Sequence, residues 1–256
     1  MRAWVSLFIA ISMLTVATTH AETFDTRLAR ECPATDAWMQ AHASSSEHDK
    51  ALPARGAKRH YSEPSLRKEL AERYAKDQQV RTAWVADNYS NTAGKALKSV
   101  DAGNLAWLKT LVSQHGFPTV KQVGKEGIED AWMLVQHATA DPAFQTRVLR
   151  KLTTLMKAGA ISKQDYALLD DRVQVEQGKP QIFGTQFYVP NDKNGKPISN
   201  ADGTLDLRMR ALEDPRHVDQ RRASMGLMPL MDYKCMLRVM YTPSDRTGHG
   251  TGKAGN

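Results

Sequence analysis

Apolar residues recur at helical spacing along most of this chain, and the exceptions to that spacing are as informative as the rule. Over 64–88 a stripe of Leu66, Leu70, Tyr74, Trp84 and Val85 predicts a long helix, with Pro64 suited to its first turn. Leu105, Leu108, Leu111 and Val112 predict a second helix, read as capped by Asp101, running through Gln114 and ended by Gly116. The third, Ile128 to Ala140, is apolar around most of its circumference and should lie at the centre of the fold. Asp141-Pro142 then stops it and starts a fourth helix carrying Phe144, Val148, Leu152 and Leu155. Ser162 with Asp165 forms a capping box for a fifth, bearing Tyr166, Leu169 and Val173.

After Gly178-Lys179-Pro180 the pattern changes. Residues 181–189 are rich in β-branched and aromatic side chains, and the turn chemistry of 191–195 predicts a hairpin. Helices return over 214–224 and from Pro229 to Val239. The fold class expected is mainly α, a single helical domain over 63–241 with one small β-hairpin element. Residues 22–62 read as a flexible lead-in in which only the piece around Trp38 should dock, and the Gly-, Ser- and Thr-rich 242–256 as a disordered tail.

Several polar residues stand where this pattern calls for apolar ones. Asp77 and Arg81 interrupt the first stripe, four residues apart, and are read as a structural ion pair. Gln136 and His137 end the central helix, Arg172 follows Asp170 and Asp171 late in the fifth, and Gln181 and Gln186 flank Gly184-Thr185. A polar group removed from water needs a partner, so this series implies either a satisfied internal network or a ligand pocket. His137 precedes Asp141 by four residues, so a carboxylate and the negative helix end both favour its basicity, although Asp141 also serves as a helix cap. Arg172 suits an anion or an internal pairing with a carboxylate such as Asp171, and the three glutamines suit a neutral polar ligand or loop backbone. No nucleotide loop, nucleophile motif or metal-ligand spacing accompanies them, and no cofactor is expected.

The first residues bear on compartment. Arg2, the apolar run Ala3–Val16 and the small residues ending at Ala21 read as a secretory signal peptide over 1–21, which places the mature protein in the periplasm or outside the cell. No other segment is apolar enough to predict a membrane span. The net charge of +7 is spread along the chain without interleaved aromatics, so nucleic acid is not an expected partner, whereas anionic envelope polymers or lipid surfaces suit the charge. In an oxidising compartment Cys32 and Cys235, the only cysteines, favour a bridge over two isolated buried thiols.

The run Asp77-Gln78-Gln79-Val80-Arg81, the turn Gly116-Phe117-Pro118, Gln136-His137-Ala138 with Asp141-Pro142 and Phe144-Gln145, and Asp171-Arg172 are followed by Gly178, Pro180-Gln181 and Gly184-Thr185-Gln186. With Arg221-Arg222, Gly226-Leu227 and Tyr233, this order resembles the bacterial family called domain of unknown function 6624, over roughly residues 64–240. The family pattern usually has Asp where Thr139 stands, Trp at Phe117 and Tyr at Phe183. The resemblance implies no established activity. Two function classes are therefore carried forward. One is an exported protein whose polar cleft (Gln136, His137, Arg172, Gln181, Gln186) binds a small polar or anionic envelope ligand, with His137 as base and Arg172 as charge stabiliser if it is a hydrolase or lyase. The other is a structural or partner-binding envelope protein whose polar cluster is an internal hydrogen-bond network.

Overall fold

The computed structural model describes residues 23–43, 61–87, 89–193 and 197–241. The expected signal peptide, the stretch 44–60, part of the expected hairpin turn (194–196) and the tail 242–256 lie outside the described residues. The protein is mainly α: nine α-helices, one short 3-10 turn and one two-stranded antiparallel hairpin occur among the described residues. None of these helices is long and apolar enough to cross a membrane. Contacts gather the described residues into two compact units, one within 61–186 and one formed by 23–43 with 187–241.

The first unit contains helices α3 (Pro64–Ala86), α4 (Asn91–His115), α5 (Val120–His137), α6 (Pro142–Lys157) and α7 (Lys163–Glu176). Helix α3 packs on both α4 and α5, and α6 packs on α7. Ile128, Ala131, Trp132, Leu134 and Val135 of α5 are buried in the main core with Leu70, Leu108, Phe144, Val148, Leu152 and Leu169. The expectation that α5 is central therefore holds.

Two helix starts differ from the sequence reading. α4 begins ten residues before Asp101, because Ser90 accepts a hydrogen bond from the Ala93 N–H and serves as the cap. That leaves Asp101 within the helix, available for a partner. α5 begins at Val120 behind a capping box of Thr119 and Gln122, eight residues earlier than the apolar pattern indicated. Gly124 breaks it with φ +74°, and a Cβ there would lie 2.7 Å from Tyr61 Cε1, so the kink requires glycine. Asp141 and Ser162 do cap α6 and α7, accepting from Phe144 N and Asp165 N at 2.9 Å each.

The second unit contains α1 (Phe24–Glu31), α2 (Pro33–Ala43), strands β1 (Phe187–Tyr188) and β2 (Arg208–Met209), the 3-10 turn Pro215–His217, α8 (Val218–Ser224) and α9 (Leu230–Tyr241). Residues 24–43, read as largely irregular from their polarity, are thus two helices. Thr23 caps α1, and Leu28 and Cys32 are buried with Val239, which supplies the apolar anchoring that the composition concealed. The strand is also shorter than expected. Phe187 pairs with Met209 and Tyr188 with Arg208, so β1 reaches across a long excursion to its partner, and 181–186 is loop.

A disulfide joins Cys32 to Cys235 of α9, with the Cα atoms 5.9 Å apart and the two residues 203 positions apart in sequence. Thr35 Oγ1 donates to the Asp232 carbonyl beside it. Closing so long a loop removes denatured-chain entropy equivalent to roughly 5 kcal/mol on the chain-entropy account, with losses of about 2–5 kcal/mol typical when a native bridge is removed. The double variant Cys32→Ala/Cys235→Ala is therefore expected to lose about 2–5 kcal/mol in urea denaturation. Denatured, unreduced wild type should label with no thiol reagent; two reactive thiols per chain would show that the ends are not joined.

Candidate functional site

The polar intrusions of α3 and α5 meet. Asp77 is wholly buried (0 % exposed), and its carboxylate faces the His137 ring, with Nδ1 2.9 Å from Oδ2 and 3.0 Å from Oδ1. Arg81 donates to the same carboxylate through Nε to Oδ2 and Nη2 to Oδ1, both at 3.1 Å, and the Gln78 amide adds a bond at 2.8 Å. Nη2 of Arg81 also donates to Asp101 of α4, so one guanidinium bridges two carboxylates. The pair Asp77–Arg81 read from the sequence is present. Its third member is His137, and the carboxylate that orients His137 is Asp77. Asp141, expected in that role, is engaged elsewhere, capping Phe144 and accepting from Lys109 Nζ at 2.8 Å.

The contacts fix which ring nitrogen carries the proton. Arg81 Nε lies 3.0 Å from His137 Nδ1, close enough to donate to it, but Nδ1 cannot accept from Arg81 and donate to Asp77 at once. An unprotonated Nδ1 would set its lone pair against two carboxylate oxygens and leave a buried Nε2–H without an acceptor. A protonated Nδ1 satisfies Asp77 and leaves only an acceptor over, the less costly arrangement. Nε2 is then a lone pair, 4 % exposed with its residue and without a hydrogen-bond partner.

Burial, with the positive charges of Arg81 and Arg172 and against the Asp77 bond, pushes the His137 pKa down to about 4. The ring is neutral at physiological pH. Burial opposes ionisation of Asp77 too, yet the hydrogen bonds from His137 and Arg81 and the charge of Arg81 outweigh it and hold this carboxyl below its ordinary value. Asp101, a quarter exposed in its side chain, is pushed up to about 6 by burial and the nearby Asp77 charge, against the pull of Arg81.

A second set of bonds organises α7 and the loop after it. Asp171 is wholly buried and accepts four hydrogen bonds, from Ile182 N (2.6 Å) and Phe183 N on Oδ1 and from Thr185 N and Oγ1 on Oδ2 (2.9 Å each). Gln181 and Gln186 close the same loop. Gln181 donates to the Gln186 carbonyl at 3.1 Å and accepts from its N–H at 2.7 Å, while the Gln186 amide donates to Leu168 O and Thr185 Oγ1. A loop, rather than a strand, removes the objection that these two residues face opposite sides. Arg172 turns the other way from Asp171 and donates through Nε and Nη2 to the Gln136 amide oxygen at 3.0 and 3.2 Å.

Gln136 and His137 are thus neighbours on α5, the first held by Arg172 and the second by Asp77. Gln145 fastens the end of that helix, donating to the carbonyls of Val135 and Gln136 at 2.9 and 3.3 Å. Two participants escaped the sequence reading. Asp101 was taken for a cap, and Gln145, quoted only within the family pattern, was given no role; its position on the buried stripe of α6 between Phe144 and Val148 was a second signal. Among the described residues no three His, Cys, Asp or Glu side chains group as metal ligands.

A family of unknown function (DUF6624) matches the chain over residues 64–244, and the chain belongs to it. The matched span contains all of these site residues and Cys235 but not Cys32. No curated protein and no solved structure matches.

Two outcomes test the geometry. Asp171→Asn would turn an amide N–H₂ toward N–H donors, and a loss of about 3 kcal/mol is expected in urea denaturation; a loss under about 1 kcal/mol would show that the loop does not depend on this carboxylate. For His137 the folded pKa lies below the unfolded value of about 6.5, so the unfolded chain binds more protons between the two, and stability is lost as pH falls through that window. From pH 7.5 to pH 5 this removes up to about 2 kcal/mol from wild type but nothing from His137→Gln. The stability deficit of the variant should therefore shrink at pH 5. Asp101 acts with the opposite sign in both proteins and cancels from the comparison.

Proposed function

We propose that this member of the family is an exported protein that binds a small polar ligand at the buried end of α5, with His137 Nε2 as the acceptor that recognises it. The reading rests chiefly on one observation. Nε2 is a buried lone pair, aimed by the Asp77 bond and without a partner. Gln136, the neighbouring position on α5, and Arg172 of α7, which donates to it, give the site an amide and a cationic contribution. A ligand hydroxyl, amide or acid proton fits the lone pair, and the Arg172 charge favours a ligand that carries or develops negative charge. Gln181 and Gln186 support the site by shaping the loop, because their amides engage its backbone.

The chemistry favours binding over proton abstraction. A general base works best with a pKa near the operating pH, and a ring held at about 4 holds a proton weakly. Hydrolase or lyase action would need the ligand itself to raise that value, as an anion placed beside the imidazole would do. The second reading, a non-catalytic envelope protein with an internal network, is favoured by a different observation: Asp77 and Asp171 are wholly buried and fully hydrogen-bonded.

Thermal-shift measurement against a panel of sugars, amino acids, short peptides and organic phosphates separates the two. Ligand that binds only the native state raises its melting temperature. The ligand reading predicts that at least one compound stabilises wild type and that His137→Gln abolishes the response while remaining folded. A response that survives in His137→Gln alongside a large loss of intrinsic stability would make His137 a structural residue only.

A further inference from the structure

The outward face of α6 carries exposed charge of one sign. Arg147, Arg150, Lys151 and Lys157 are exposed, and the helix contains no Asp or Glu. None of the four makes an ion pair with another described residue, and only Arg147 touches an aromatic ring, that of Phe144 at 5.8 Å. Some exposed cations elsewhere are matched by an acid, as in Lys68–Glu72 and Lys109–Asp141, and others, such as Lys95, Lys98 and Lys121, make no ion pair among the described residues; α6 differs in gathering four on one face of a helix that has no acid. A merely solubilising face intersperses both signs, since like charges three and four residues apart repel. The orientation of α6 is fixed from behind by Phe144, Val148, Leu149 and Leu152, which lie in the core.

We propose that this face docks on an anionic phospholipid surface. At about 100° and 1.5 Å per residue, the four cations spread over roughly 120° of arc and about 15 Å of axis, a patch in two dimensions rather than a single row. A planar sheet of anionic headgroups meets all four at once, whereas a single polyanionic chain follows one row. No aromatic residue stands among Arg147, Arg150, Lys151, Thr154 and Lys157, so the stacking platform that single-stranded nucleic acid uses is absent from this face. Each basic side chain near an anionic leaflet adds a comparable increment of binding, and the increments are screened by salt. The inference is independent of the ligand site at His137.

Sedimentation of the processed protein with vesicles provides the test. Binding is expected to vesicles containing phosphatidylglycerol and not to phosphatidylcholine alone, and to disappear in high salt. Replacing three of the cations (Arg147→Gln, Arg150→Gln, Lys151→Gln) should weaken binding roughly a hundred-fold. Replacing three exposed lysines elsewhere (Lys95→Gln, Lys98→Gln, Lys121→Gln) makes the same change in net charge and should weaken it far less. All six side chains are exposed, and an unchanged melting temperature will show that both variants are folded. Equal weakening by the two sets would overturn the proposal in favour of unspecific attraction by net charge. Indifference to phosphatidylglycerol, with or without binding to heparin or polyphosphate, would overturn it outright.

Discussion

The buried carboxylate of Asp77 constrains everything around it. An ionised carboxylate without exposure is tolerated only when opposite charge and hydrogen bonds replace its water, and removal of one partner from such a group is typically worth about 3–5 kcal/mol. Arg81, one turn along α3, supplies the charge through two bonds, and His137 supplies the remaining donor from the end of α5. Because Arg81 then reaches Asp101, three helices are tied at one point. Leu70, Val80 and Trp84 of α3 are buried apolar residues of its packing, and this cluster adds the polar bonds that select its register on α4 and α5.

From that constraint the state of His137 follows. A carboxylate accepts only, so it selects the Nδ1–H tautomer and turns Nε2 inward as a lone pair. The same burial that makes the bond strong disfavours a charged ring, and the two arginines act in the same direction. The arrangement therefore presents a well-aimed acceptor rather than a strong base. Asp171 performs the parallel task on α7, where it gathers the backbone N–H groups of Ile182, Phe183 and Thr185 and leaves Arg172 to face Gln136. Two adjacent residues on each of α5 and α7 thus divide between inner partners and a shared polar region.

Much of this was legible in the sequence because burial announces itself as apolar periodicity. α3, α6 and α7 stand where their stripes and caps place them, and the polar interruptions of those stripes are the residues that form the network. What the stripes do not carry is pairing between elements. Asp77 and His137 each interrupted a core-facing pattern sixty residues apart, and their mutual satisfaction was the physical solution, yet local spacing favoured Asp141 because it lay four residues from His137. Asp101 was misplaced for a related reason: the helix cap that decides where α4 begins is Ser90, and the weakly apolar turns after it gave no stripe to follow. The departure from the family pattern at Thr139 leaves the cluster intact, since the carboxylate on His137 comes from α3.

The most direct measurement of this account is the tautomer and charge of His137 by long-range proton–nitrogen correlation of ¹⁵N-labelled imidazole. The structure predicts a neutral ring protonated at Nδ1 and bare at Nε2, unchanged between pH 7.5 and pH 5. A ring protonated at Nε2, or one that gains its second proton near the ordinary histidine value of about 6.5, would contradict the role assigned to Asp77 and with it the acceptor on which the proposed site depends.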